Sequence, residues 1–163
     1  IPKLYGGITT DLEWKGISLN LNFIYKLGGK LYDGAYKDVA DDGYYWERIR
    51  SAEYYENMWT DENTSGTLPK LSGSDLTDPM QYSTRQLHDA TFFRLKNTTL
   101  AYRLPRQVLD KVGISSSRVF FSGLNLLTFS KYKIADPEVN QYATRGWEVP
   151  FARTYTFGIE VSF

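Results

Sequence analysis

The sequence predicts an all-β protein, an antiparallel set of transmembrane β-barrel strands joined by long extracellular loops. Three observations carry this prediction. The segment 153–163 alternates apolar and polar side chains, as a strand with two unlike faces does. Four earlier segments of similar length are predicted strands, three of them with visible alternation, and about 9–11 residues suffice to cross a bilayer as a tilted strand. Short and long connections alternate, which is typical of outer-membrane barrels.

Composition removes several classes of protein. The chain has 163 residues, with 19 basic and 19 acidic side chains, so no net charge favours nucleic acid as a partner. It has no cysteine, which excludes a disulfide framework and a thiolate metal site. No apolar run approaches the roughly 20 residues of a transmembrane helix. Because the chain begins at Ile1 without a signal peptide, we expect a mature protein or the tail of a longer one.

The first two predicted strands form a hairpin. Strand 4–14 places Ile8, Leu12 and Trp14 on one face, and strand 17–28 alternates more regularly, from Ile17 onwards. The turn between them is Lys15-Gly16, a typical tight-turn pair. On the membrane interpretation, Trp14 and Tyr25 lie near opposite interfaces, where amphipathic rings are favoured.

Residues 29–91 are predicted to form a long loop. The segment is rich in aromatic and acidic side chains, and residues 46–58 could form one or two helical turns. A connection of this length in a compact domain is functional or disordered, and its aromatic density argues against disorder.

The remaining chain contains three predicted strands. Strand 92–104 ends at Pro105, and residues 106–114 have helical spacing with Gly113 as a stop. Strand 118–129 carries apolar residues at adjacent positions, so its faces stay unassigned. Loop 131–152 precedes the last strand, 153–163. If the chain ends in the periplasm, both long loops face outside and both short connections face the periplasm.

Five strands cannot close a membrane barrel, since about eight is the smallest number known. An open edge in lipid would leave backbone groups unpaired at several kcal/mol each. We therefore expect the barrel to be completed by strands outside this sequence, which favours the tail of a longer protein.

Several stretches resemble one family in the order in which they occur. They are Pro2-Lys3-Leu4-Tyr5-Gly6-Gly7, Trp59-Thr60-Asp61-Glu62-Asn63, Leu68-Pro69-Lys70-Leu71, Phe93-Arg94-Leu95-Lys96-Asn97-Thr98-Thr99-Leu100-Ala101-Tyr102-Arg103-Leu104-Pro105, Gly113-Ile114 through Ser122-Gly123-Leu124-Asn125-Leu126, Asp136-Pro137-Glu138 and Arg153-Thr154-Tyr155-Thr156-Phe157-Gly158. The series is similar to the C-terminal barrel segment of SusC/RagA-type TonB-dependent outer-membrane transporters. Two positions depart from the pattern: Asp61 stands where Pro is usual, and Ala101 where Gly is common.

The resemblance implies a bacterial outer-membrane protein with a 22-stranded barrel, of which this chain supplies the last five strands. It implies a plug domain and a TonB-contacting N-terminal region, neither of which this sequence contains. It also implies a SusD-like surface lipoprotein as partner, and oligosaccharides, or less often peptides, as substrates taken up with energy supplied through TonB. The barrel assembly machinery would read the terminal assembly signal, which consists of Tyr155, Phe157, Ile159, Val161 and Phe163.

Other candidate sites come from the residues themselves. The loop aromatics could pack the loop against itself, contact the lipoprotein or stack on substrate; the contact candidates are Tyr44, Tyr45, Trp46, Trp59 and Trp147. Oxygen ligands for Ca²⁺ could come from Asp38, Asp41 and Asp42, although they lack EF-hand spacing, and we expect no metal and no cofactor. Asn20, Asn22, Lys26, Arg103 and Glu160 are expected on the inward face, where they solvate the interior or contact the plug.

The leading hypothesis is part of an active importer for oligosaccharides or other large nutrients. His88 is the only histidine, and it lies in a polar loop beside Asp89, which argues against a Ser-His-Asp or multi-histidine zinc enzyme. The alternatives are a passive porin, an outer-membrane enzyme barrel and a soluble carbohydrate-binding β-sandwich.

Overall fold

A computed structural model of the chain describes residues 1–40, 43, 47–71, 82–140 and 142–163. The chain divides into two compact units. Unit 1 comprises Ile1–Gly29, Ala90–Pro137 and Pro150–Phe163, and unit 2 comprises Lys30–Asp89 and Glu138–Val149. Unit 2 therefore consists of the two segments predicted as long loops, apart from a few residues at their ends.

Unit 1 is built on one antiparallel sheet. Its strands are β1 (Leu4–Trp14), β2 (Ile17–Leu27), β5 (Phe92–Arg103), β6 (Ser116–Ser130) and β8 (Thr154–Ser162), in the order β1-β2-β5-β6-β8. This architecture confirms the predicted fold class of antiparallel barrel strands. Strand β6 begins two residues earlier than expected, and β2, β5 and β8 end slightly sooner.

Short connections join the strands at one end of this sheet. The β1–β2 turn uses Lys15 and Gly16, both with positive φ, which glycine adopts without strain. After β5 come the helical turn Arg106–Leu109 and the 3-10 turn Asp110–Val112. Gly113 follows with a φ of 71°, the left-handed conformation that ends helices, so the predicted helical cap and its stop are confirmed.

Unit 2 has its own secondary structure. A small sheet in the order β4-β3-β7 consists of β3 (Lys30–Asp33), β4 (Leu87–Asp89) and β7 (Thr144–Arg145), with β3 and β7 parallel. Two short helices, α1 (Tyr36–Val39) and α2 (Ala52–Asn57), and a 3-10 turn (Thr84–Gln86) complete it. The helix predicted within 46–58 is α2, whose N-cap Ser51 accepts a hydrogen bond from the Tyr54 amide.

The core of unit 2 is aromatic. Tyr54 is fully buried, and its hydroxyl donates to the carbonyl of Pro69 at 2.8 Å. Around it pack Tyr36, Ala40 and Leu68. Within the described residues, no helix has the length and apolar character needed to cross a membrane.

Candidate functional site: a two-faced sheet and an aromatic loop unit

One face of the five-stranded sheet is apolar from edge to edge. Strand register places Leu12, Leu19, Leu100, Phe121 and Phe157 in a single row across all five strands. Neighbouring positions of this apolar face carry exposed hydrophobic side chains; they include Leu4, Ile8, Trp14, Ile17, Tyr102, Val119, Tyr155, Ile159 and Val161. Exposed apolar patches of soluble monomers rarely exceed a few hundred Å², so a face of this extent indicates an apolar partner.

The opposite, polar face carries cross-strand hydrogen bonds. Asn20 donates to Asp11 at 2.6 Å, and Asn22 donates to Thr9 at 3.2 Å. Arg118 and Glu160 form an ion pair at 2.7 Å. Of the residues expected on the inward face, Asn20, Asn22 and Glu160 make these contacts, and the register places Lys26 and Arg103 on the same face. The alternation of the sequence therefore separates most apolar from most polar side chains in the sheet, although Ile24, Phe92 and Phe120 lie on the polar face.

Strand β6, whose faces the sequence left unassigned, contains an irregularity. The β5–β6 register shifts between Leu95 and Asn97, and Asn125 has a φ of 53°, which marks a bulge. On the N-terminal side of the bulge, Phe121 lies on the apolar face, with its ring stacked on Tyr155 and tilted against Phe157. Phe120 lies on the polar face opposite Gly158, where an added Cβ would come within 2.4 Å of the Phe120 ring.

An arginine on the polar face holds the chain that follows β6. Arg94 is 2% exposed, and its guanidinium donates to Asp136 Oδ1 at 2.6 Å and to Thr128 Oγ1 at 3.0 Å. The same guanidinium lies over the rings of Phe92 and Phe151. The stretches around Arg94 and Asp136 are separate motifs in the sequence, and nothing in the sequence predicts that the two side chains meet. The only signal available was a charge at an interior strand position, which is costly unless it is paired.

Unit 2 is held by a second buried ion pair. Asp33 is fully buried and accepts two hydrogen bonds from Arg145 Nη1, at 2.7 and 2.8 Å. Asp33 Oδ1 also accepts from the backbone amides of Ala35 and Tyr36 at the start of α1. The pair joins β3 to β7 across 112 residues of sequence, so it fixes the two long segments to one another within this unit.

The predicted contact and metal residues fall in different places. Asp38 is already engaged, since one carboxylate oxygen accepts from Arg48 and the other from Trp147 Nε1 at 3.0 Å. Trp59 is 40% exposed and Trp147 69% exposed, so both rings are accessible in their unit. The other predicted residues lie outside the described part of the chain; they are Asp41, Asp42, Tyr44, Tyr45 and Trp46. Among the described residues, no group of three or more His, Cys, Asp and Glu side chains is arranged to hold a metal ion.

The motif Trp59-Thr60-Asp61-Glu62-Asn63 folds as a local turn. The Asn63 amide side chain donates to the carbonyls of Met58 and Glu56, and its backbone amide donates to Thr60 Oγ1. Gly66 packs so closely on Met58 that an added Cβ would lie 2.5 Å from its backbone. These contacts stabilise the loop in which the Trp59 ring is exposed.

His88 packs inside unit 2. Its ring meets the Tyr36 ring edge-on, with 5.2 Å between centroids. Burial lowers the pKa of His88, and the nearby carboxylates of Asp33 and Glu53 oppose that shift only in part. The fold therefore favours the neutral imidazole, and His88 contributes to the packing of unit 2.

Known proteins resemble this chain over its whole length. The TonB-dependent receptor P3 of Formosa agariphila is 28% identical over 173 aligned residues, covering 99% of this chain and 16% of the receptor. The TonB-dependent receptor SusC of Bacteroides thetaiotaomicron is 28% identical over 161 residues, covering 96% of this chain and 15% of SusC. The chain thus spans about a sixth of the length of these relatives. No protein-family profile matches it.

The fold is also found in solved structures. The RagAB peptide importer in its open-open state is 32% identical, with a TM-score of 0.83, covering 100% of this chain and 17% of the importer chain. The closed-closed state matches with a TM-score of 0.82 at the same identity. The match covers both the five-stranded sheet and the loop unit.

Proposed function

This chain is a barrel segment of a SusC/RagA-type TonB-dependent receptor of the bacterial outer membrane, and we propose on that premise that it forms part of an active importer for large nutrients. The observation that carries the proposal is the two-faced sheet. Its exposed apolar face suits lipid, and its hydrogen-bonded polar face suits the interior of a wide barrel.

The barrel is completed by strands outside this chain. Strands β1 and β8 each have one unpaired edge in the five-stranded sheet, and such edges cannot rest in lipid. We propose that the chain supplies the last five of 22 strands, that a plug domain fills the lumen, and that a segment of the plug region contacts TonB. The polar side chains of the inward face then solvate the lumen or contact the plug.

Unit 2 is proposed to lie at the cell surface and to contact a SusD-like lipoprotein. Its exposed Trp59 and Trp147 rings offer large, rigid contact areas at low entropic cost, and Tyr44, Tyr45 and Trp46 belong to the same segment. We further propose that the alternating residues of β8 and Phe163 are read by the barrel assembly machinery, since their side chains are exposed on the sheet's apolar side.

The transported solute is proposed to be an oligosaccharide, with a peptide as the second candidate. The peptide is favoured by one specific observation, the likeness at 32% identity to the RagAB peptide importer. Both are large, polar and flexible solutes, which need a wide lumen and a source of energy for release.

The test is uptake by cells that express the full-length protein. We expect labelled oligosaccharides or peptides to accumulate, and accumulation to stop when TonB is deleted or the proton gradient is collapsed. A passive porin predicts uptake that survives both treatments, and that result would reject active import. As a topology control, cysteines at Asp61 in unit 2 and at Lys111 in the short connection should label from outside and from the periplasm, respectively.

A further inference from the structure

A cavity of about 350 Å³ lies on the polar face of the sheet in unit 1. Two strand positions form its floor, Arg94 of β5 and Thr128 of β6, which are paired in the register. The chain that follows β6 and the chain that precedes β8 form its sides, with Lys133, Asp136, Phe151 and Arg153 among the lining residues. Nothing in the proposed barrel architecture requires a cavity here.

The lining is positively charged. Three cationic side chains, Arg94, Lys133 and Arg153, face one carboxylate, Asp136, so the lining has a surplus of two positive charges. Asp136 is already paired with Arg94 at 2.6 Å. Within the residues that the structure describes, neither Lys133 nor Arg153 forms an ion pair. The uncompensated charge indicates an anionic ligand.

The buried part of the cavity adds hydrogen-bonding groups. Asn125, in the β6 bulge, donates its side-chain amide to the carbonyl of Ala152 at 3.1 Å, which orients the group. Its Oδ1 is buried and accepts no hydrogen bond from any described residue. Thr128 Oγ1 accepts from Arg94, so its own proton remains available to a ligand. The site thus offers cations for an anion and, beside them, the hydroxyl proton of Thr128.

We propose that this cavity is a carboxylate-binding subsite for the imported solute. The inference rests on the proposed import function and adds the substrate class: an acidic solute whose carboxylate meets Lys133 and Arg153. An arginine and a lysine at the rim suit this chemistry, because carboxylates form charge-assisted bonds with both. A uronic acid residue of an oligosaccharide and an acidic residue of a peptide share it.

The test uses the purified full-length protein and isothermal titration calorimetry. The probes are a galacturonate trisaccharide with its methyl ester, and a Gly-Asp-Gly peptide with its Gly-Asn-Gly counterpart. The variant is Lys133→Gln combined with Arg153→Gln, which leaves Arg94 and Asp136 paired. The matched control is Arg103→Gln, on the same polar face, nine positions from Arg94 along β5 and so about 30 Å away.

We expect at least one acid to bind at least tenfold more tightly than its neutral counterpart. The double variant should lose that preference, and Arg103→Gln should keep it. The preference should also fall as salt is raised. Whichever pair shows it identifies the source of the carboxylate, sugar or peptide.

Three outcomes would overturn the subsite. In the first, neither acid is preferred; in the second, the double variant binds as the wild type does. In the third, the double variant lowers the melting temperature of the protein without changing solute affinity. Lys133 and Arg153 would then bind a carboxylate of the protein itself, such as one on the plug. If the wild type shows no preference for either acid but energised uptake persists in the wild type and in the double variant, the subsite is rejected and the import function is retained.

Discussion

Arginine substitutions along β8 test directly whether the apolar face meets lipid. Phe157 lies next to the midpoint of Thr154–Ser162 and is 79% exposed in the sheet, so arginine there displaces little protein packing. Val161 lies four residues further along the same face. Thr156 provides the control, because it precedes Phe157 in β8, lies on the polar face and pairs with the polar Ser122.

The expected loss of stability at each position follows from the depth of that position in the bilayer. Four residues at about 3.3 Å each span about 13 Å along the strand, and a tilt of about 40° converts this to about 10 Å of depth. The apolar band of such a barrel is about 25 Å tall, so Val161 would reach its edge if Phe157 lies near its centre. Relative to alanine at each site, Phe157→Arg should cost about 2–4 kcal/mol and Val161→Arg about 0–1 kcal/mol. Thr156→Arg should change stability little.

The assay is reversible denaturant unfolding of the full-length protein in lipid vesicles, read by heat-modifiable mobility on gels and by tryptophan fluorescence. A soluble sheet predicts a different result, because arginine on a water-exposed face would cost little at any depth. Equal costs for Phe157→Arg and Thr156→Arg would refute the assignment of the apolar face to lipid.

Three further predictions concern packing and charge. Gly158→Ala should destabilise the sheet by about 1–3 kcal/mol in the same unfolding assay, because its Cβ meets the Phe120 ring, and Phe120→Ala should relieve the clash when the two changes are combined. Asp136→Asn should cost about 3–5 kcal/mol by leaving the buried Arg94 without its carboxylate, whereas replacing both by a Met–Leu pair should cost less. Because burial lowers the pKa of His88, unit 2 should keep its full stability above the ordinary pKa of 6.5 and lose it as pH falls towards the lowered folded pKa; hydrogen exchange between pH 5 and 7 should show this loss, and His88→Gln should remove it.

The sheet could be predicted from sequence because its strands obey one local rule. In β1, β2 and β8 most alternate residues are apolar and share one face of the sheet, so period-two alternation reports the fold directly. Unit 2 gave no such signal. Its small sheet pairs β3 with β7, and the Asp33–Arg145 ion pair spans 112 residues of sequence. No local sequence pattern predicts contacts between segments so far apart. The sequence indicated an ordered aromatic segment but not its partners.

One of the two places where alternation breaks in β6, the bulge around Asn125, borders the cavity. The register of β5 shifts at Lys96 towards both β2 and β6, and Asn125 bulges from β6 alongside it. The Lys96 ammonium lies 4.5 Å from the centre of the Phe151 ring, and Phe151 and Asn125 both line the cavity. A bulge inserts a residue and re-aims its neighbours, which breaks period two and opens a concave site on the polar face. Because the bulge adds residues without partners in the ladder, period-two alternation could not assign the faces of β6 on both sides of Asn125.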